Sequence, residues 1–113
     1  MEARAVANDQ PISPRKVRLV LAQIRGLPVQ QAVSVLEFLQ QPCAKIVLKA
    51  VKSAVANAEN NYNLNPDRLT VKRAVADDAR TLKRFRARSR GRATQVLKRS
   101  AHIEIVVEGN EGF

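Results

Sequence analysis

The chain has 113 residues, enough for one domain with a modest core and no need of covalent staples. Twenty Lys and Arg against ten Asp and Glu give a net charge of +10, which points to a polyanionic partner: nucleic acid first, an anionic membrane second. The single cysteine, Cys43, excludes an internal disulfide, and no apolar run reaches the roughly 18–20 residues of a membrane span.

Cys43 reads as a small buried hydrophobe in a reducing compartment. The opening Met1-Glu2-Ala3-Arg4 has none of the apolar stretch of a signal peptide. Residues 2–9 alternate weakly and read as a strand. Ser13-Pro14 then opens a helix, with Ser suited to the N-cap and Pro to the first helical position. Val17, Val20, Leu21 and Ile24 form its apolar stripe, and Gly26 ends it because glycine accepts the left-handed conformation. Pro28 starts a second helix, with Val29, Ala32, Val33 and Leu36 on the buried side, and Gln40-Gln41-Pro42 breaks it. A third helix runs from about Pro42 to Asn60. Ala44, Val47, Leu48, Val51, Val55 and Ala58 make its core face, and Lys45, Lys49 and Lys52 make a basic row at i, i+4, i+7. The segment 60–66 reads as a loop.

The last third changes period. Leu69, Val71, Arg73 and Val75 alternate with Thr70, Lys72 and Ala74; later, Ile103, Ile105 and Val107 alternate with His102, Glu104 and Glu108. Between these two strand signals lies a stretch too long for a tight turn. Nine of the twenty basic residues fall between Arg80 and Arg99, where there is no Asp or Glu, and from Arg84 to Arg92 every second residue is Arg. In an extended strand Arg84, Arg86, Arg88, Arg90 and Arg92 share one face, and Phe85, Ala87, Ser89 and Gly91 the other. A long hairpin over about 78–100, its arms meeting near Ser89–Gly91 and reaching about 35 Å, is the simplest solution. The fold class expected is therefore α+β: three helices, a small sheet and a protruding β-hairpin.

Enzymatic constellations are thin. His102, the only histidine, has no catalytic partner in sequence, so a structural or RNA-contacting role is expected of it. Asp77 and Asp78 are adjacent and point opposite ways in a strand, which suits neither an acid–base pair nor a shared metal. There is no glycine-rich phosphate loop, no H-E-x-x-H and no C-x-x-C. Neither metal nor cofactor is expected, and the chain does not read as an enzyme. Guanidinium meets phosphate bidentately and stays charged when partly desolvated. The hairpin is rich in it, with seven Arg to two Lys. Only four aromatics occur, too few for a base-stacking platform. What remains is recognition of a structured polyanion by shape and phosphate. A DNA-binding architectural protein and a module for anionic membranes or acidic proteins are the alternatives.

Ser13-Pro14-Arg15-Lys16-Val17-Arg18-Leu19-Val20, Ile24-Arg25-Gly26 and Lys52-Ser53-Ala54-Val55-Ala56-Asn57-Ala58-Glu59-Asn60 resemble the large-subunit ribosomal protein L-twenty-two family. So do Leu82-Lys83-Arg84, Arg90-Gly91-Arg92-Ala93 and Leu97-Lys98-Arg99-Ser100-Ala101-His102-Ile103. The resemblance covers nearly the whole chain. It implies one ribosomal-protein domain over 1–113, with helices packed on a three-stranded antiparallel sheet. It also implies a structural role in the large subunit, with ribosomal RNA, neighbouring ribosomal proteins including L-four and the nascent polypeptide as partners. The expected location is the cytoplasm, within the ribosome, an organelle ribosome being left open. No membrane and no small-molecule substrate is implied. On the body, Arg15, Lys16, Arg18, Arg25, Lys45, Lys49 and Lys52 would bind RNA. On the hairpin, Arg80, Lys83, Arg84, Arg86, Arg88, Arg90, Arg92, Lys98, Arg99 and His102 would do so. The tip, Arg86-Ala87-Arg88-Ser89-Arg90-Gly91, would line the peptide exit tunnel. The chain departs from the family where Gly-Pro is usual and it has Ala79-Arg80, and where Pro-Arg-Ala is usual and it has Ala87-Arg88-Ser89. Asp9-Gln10-Pro11 also stands where a basic or aromatic residue is common.

Overall fold

Prolines and one glycine set the helix boundaries of the body. A computed structural model describes residues 2–87 and 93–109; for Leu82–Ala87 and Ala93–Lys98 the description is of strand pairing. Strand β1 spans Glu2–Gln10. Helix α1 (Pro14–Ile24) begins after Ser13, whose backbone is extended and whose carbonyl accepts from Lys16 and Val17. The Ser13 side chain makes no cap bond, so it serves the N-cap by backbone position alone. Beyond the helix, Gly26 sits at φ +77°, where any L side chain is strained. Its N–H donates to Val71 rather than back into the helix, so the helix stop is also a tertiary contact.

Helix α2 (Val29–Phe38) buries Val29, Ala32 and Leu36, with Val33 half-buried. Helix α3 (Pro42–Tyr62) runs two residues past the expected end. The two exposed asparagines at 60 and 61 do not stop it. Asn63 does, at φ 53°, a left-handed conformation that asparagine tolerates. The N–H of Leu64 then returns to the Ala58 carbonyl, and the Leu64 side chain is buried against the core. A 3-10 turn at Pro66–Arg68 leads into the sheet.

The three-stranded sheet has β5 (Ala101–Glu108) in the centre, between β1 and β2 (Thr70–Asp78), all antiparallel. Ile103, Ile105 and Val107 point into the core as their alternation requires. In β2 the expected alternation fails after Val71: Ala74 and Ala76 are buried, while Arg73 is exposed and Val75 half-buried. The pairing shows why. Val71 faces Val107 and Arg73 faces Val106, so Lys72 is an extra, bulged residue that shifts the phase by one. Without the bulge Arg73 would sit in the core, where an unpaired charge is costly. All three helices cover one face of this sheet, α3 over β1 and β5 and α1 over β2. Cys43 is buried, as expected of it.

Strands β3 (Leu82–Ala87) and β4 (Ala93–Lys98) form a separate two-stranded ladder, paired from Leu82 with Lys98 to Ala87 with Ala93. It continues the β2–β5 pair outward. The last body pair is Asp78 with Ala101, so three residues (79–81) on one side oppose two (99–100) on the other. That one-residue mismatch is the kind that bends a ladder. The base is tied by Ala79 N–H to the Ser100 carbonyl at 3.1 Å and by the Ser100 hydroxyl donating to the Arg80 carbonyl. The Ala79-Arg80 step is thus secured by Ser100 rather than by a proline. The radius of gyration is 17.3 Å and the long axis 69 Å; a globule of this length has a radius of about 13 Å.

Candidate nucleic-acid interface

Charge is distributed unequally over the surface. The sheet face that the helices leave open carries Glu2, Asp77, Glu104 and Glu108 against Arg4, Lys72 and Arg73. Arg4 pairs with Glu104 at 3.7 Å and Lys72 with Glu2. The hydrogen bond and charge of Lys72 hold the Glu2 carboxyl below its ordinary value. The contribution of that pair is therefore present above the ordinary carboxylate range and fades as pH falls through the lowered value. Both groups are exposed, so it is screened and small. This face neutralises itself and has little left for a polyanion.

The helical side is different. Arg15, Lys16, Lys45, Lys49 and Lys52 are exposed, and among the described residues none of them makes an ion pair. Lys49 lines a groove between α3 and β1 with Val6, Gln10 and Ser53. Lys16 borders a hollow between α1 and the start of α3, beside Ile12, Leu19 and Pro42. Arg80 and Arg99 are exposed at the hairpin base, on the two facing sides of the mismatch. Among the described residues no charged side chain is buried in the core.

On the hairpin, pairing settles which positions share a face. Arg84 lies opposite Val96, Arg86 opposite Thr94 and Leu82 opposite Lys98, so Arg84, Arg86 and Lys98 occupy one face. Lys83, Phe85 and Ala87 occupy the other. The period-two arrangement expected of the arginines holds at 84 and 86. Arg88, Ser89, Arg90, Gly91 and Arg92 lie outside the described residues, and with them most of the expected tip.

Two residues of the expected RNA set are otherwise engaged. Arg18 donates from Nε and Nη2 to the Ala76 carbonyl at 3.1 and 2.8 Å, and Arg25 donates from Nε to the Ala74 carbonyl at 2.8 Å. Sequence reasoning missed this, although Arg18 on α1 and Arg25, its C-cap residue, are seven apart and so fall on one side of the helix. Asn57 was missed too: its side-chain amide donates to the Arg4 carbonyl from α3, so a helix side chain holds each outer strand. His102 accepts from the Asp9 N–H at Nδ1, 3.1 Å away. Asp9 sits at φ 52° in the irregular stretch of β1 between Ala7 and Gln10, so its bond to His102 ties that irregularity to the central strand. With Nδ1 used as an acceptor, Nε2 is the ring nitrogen that remains for a further partner. Asp77 and Asp78 are exposed at the end of β2. Among the described residues no cluster of His, Cys, Asp and Glu is fit to hold a metal, and no helix is long and apolar enough to cross a membrane.

A family profile described as Ribosomal protein L22p/L17e matches residues 5–108. The chain is 52% identical over 111 residues to the large ribosomal subunit protein uL22 of Thermoanaerobacter sp. strain X514, covering 98% of this chain and all of that one. It is 48% identical over 107 residues to the protein of the same name from Dehalococcoides mccartyi strain 195, covering 95% and 98%. With that from Clostridium novyi it shares 48% over 108 residues, covering 96% and 97%.

Proposed function

The chain belongs to the Ribosomal protein L22p/L17e family, a family of structural proteins and not of enzymes, and from that premise we propose that it holds large-subunit ribosomal RNA through phosphate contacts. It is a structural constituent of the large ribosomal subunit. The observation that carries the RNA reading is the contrast between the two sides of the body. The open sheet face sets four acids against three bases, whereas Arg15, Lys16, Lys45, Lys49 and Lys52 have no ionic partner among the described residues. Like charges left unpaired on one side repel, and a phosphate backbone removes that repulsion while releasing counterions.

In this reading the whole chain, 1–113, acts as one domain with a basic hairpin over about 78–100. The helices seat the body on RNA. Lys83, Arg84, Arg86, Arg88, Arg90, Arg92 and Lys98 line the hairpin with phosphate ligands, while Arg80, Arg99 and His102 do so at its base. The tip at 86–91 lines the exit tunnel beside L-four and meets the nascent polypeptide; the family resemblance supports this part. Binding supports assembly of the subunit. Competition tests the reading. Large-subunit RNA fragments should displace labelled large-subunit RNA from the full chain at concentrations where duplex DNA of equal length does not, and anionic vesicles should not float the protein. Equal displacement by DNA would favour an architectural DNA-binding role instead.

A further inference from the structure

The free edge of β2 is covered along most of its length, and the cover changes kind half-way. At its start the cover is backbone. Val29 N–H donates to the Leu69 carbonyl, Gly26 N–H to the Val71 carbonyl, and Val71 N–H to the Leu27 carbonyl, all at 2.9 Å. Beyond the bulge at Lys72 the carbonyls so covered are no longer at positions 69 and 71 but at 74 and 76, and the cover there is guanidinium: Arg25 on Ala74 and Arg18 on Ala76. Segment 26–29 supplies the first kind, and α1 together with Arg25, the residue that caps its C-terminus, supplies the second. An exposed strand edge needs such cover, but two arginines are a specific means of providing it.

Their position matters for the hairpin. Ala76 lies two residues before the end of β2, and β3 begins at Leu82 after a tied bend. β2 is therefore held from both sides just before the hairpin leaves: by β5 through its ladder, and by α1 through the two arginines. For Arg18 the Nε–Nη2 side of the fork, one of the two edges by which a guanidinium can meet a phosphate bidentately, is already occupied.

We propose that Arg18 and Arg25 are positioning residues that hold β2 to α1 and fix the direction in which the hairpin leaves the body, and that they are not phosphate ligands. This rests on the RNA-binding reading above and assigns two of its basic residues a different part. α1 then links the two halves of the interface: Arg15 and Lys16 face outward, while Arg18 and Arg25 face the strand that feeds the hairpin.

The test uses the full chain, a large-subunit RNA fragment and a series of salt concentrations. For R18Q/R25Q the slope of log affinity against log salt should stay as in the parent, because no phosphate contact is lost. Affinity should fall by a constant factor of about 5 or more at every salt concentration. Without RNA, residual dipolar couplings of amides 82–87 and 93–98 should change relative to those of α3. R18K/R25K keeps the charge and loses the planar fork; it should behave like the Gln pair, and it carries the test if the Gln pair does not fold. In K45Q/K49Q/K52Q the slope should become shallower by about 2–3, at roughly 0.7–0.9 per phosphate contact. A slope reduced by about 1.4–1.8 in R18Q/R25Q with unchanged couplings would overturn the proposal and make both residues ligands. Full affinity in the Lys pair would overturn it as well. An unchanged slope in the triple Lys variant would instead count against the RNA reading of α3, while the couplings still decide the positioning role.

Discussion

Ile103→Ala is expected to destabilise the body by about 2–5 kcal/mol, the usual cost of removing a large side chain from a core that cannot collapse around the gap. Ile103 is fully buried on the central strand and lies opposite Ala7 on β1 and Ala76 on β2. Both cross-strand neighbours are alanines, so neither is large enough to swing into the vacated volume. The helices above it are packed through small residues as well, Ala50, Ala54 and Ala58 on α3 being buried. Domains of this size are stable by only about 5–15 kcal/mol, so the loss is a large share of the total. Urea unfolding followed by far-UV circular dichroism reads it as a fall in midpoint of about 1–2.5 M at a slope of about 2 kcal/mol/M. Val6→Ala serves as the contrast. Val6 is 41% exposed on the open face, and its change should stay under about 1 kcal/mol. Equal effects at the two sites would mean that the sheet does not bury the face described.

Deleting Lys83–Arg92 is expected to separate folding from binding. The segment carries Lys83, Arg84, Arg86, Arg88, Arg90 and Arg92, six cations. With each on a phosphate, their loss should make the salt dependence of RNA affinity shallower by about 4–5, at roughly 0.7–0.9 per contact. The apolar core as described lies in residues 3–76 and 101–107, so the helix signal and its cooperative melting should persist. A binding slope near that of the full chain would show that the hairpin is not a major phosphate-binding element. Loss of the cooperative transition would show that the body depends on it for its fold.

Much of this architecture is legible in the sequence because it follows local rules. Ser13-Pro14, Gly26, Pro28 and Pro42 mark helix limits through backbone conformation, which depends on the residue itself. The stripe at Val17, Val20, Leu21 and Ile24 and the alternation at Ile103, Ile105 and Val107 report burial directly. What sequence reading missed depends on partners distant along the chain. The bulge at Lys72 exists because β2 must match β5, and its own pattern over 69–75 gives the opposite phase. Leu64 is a core residue inside an asparagine-rich loop; the signal was an asparagine suited to the left-handed conformation followed by an apolar residue.

The interface divides along the same line. The row of Lys45, Lys49 and Lys52 and the arginines at 84 and 86 could be placed from period alone, since exposure and strand alternation are local properties. Arg18 and Arg25 could not. Their charge suits RNA, and only the tertiary fold reveals that their guanidinium groups meet carbonyls 58 and 49 residues away. Asp9 and Ser100 teach the same point from the other side. Each makes a bond to a residue distant along the chain that secures the sheet or the hairpin base.

In the proposed function, cations on the helices and the hairpin hold this chain on the large subunit through its RNA. Sedimentation of tagged protein with ribosomal subunits, before and after a salt wash, tests it most directly. The full chain should pellet with large and not small subunits and, held by many phosphate contacts at once, survive a moderate wash. The chain lacking Lys83–Arg92 should be released at lower salt. Equal recovery with both subunits, or release of the two forms at the same salt concentration, would contradict it.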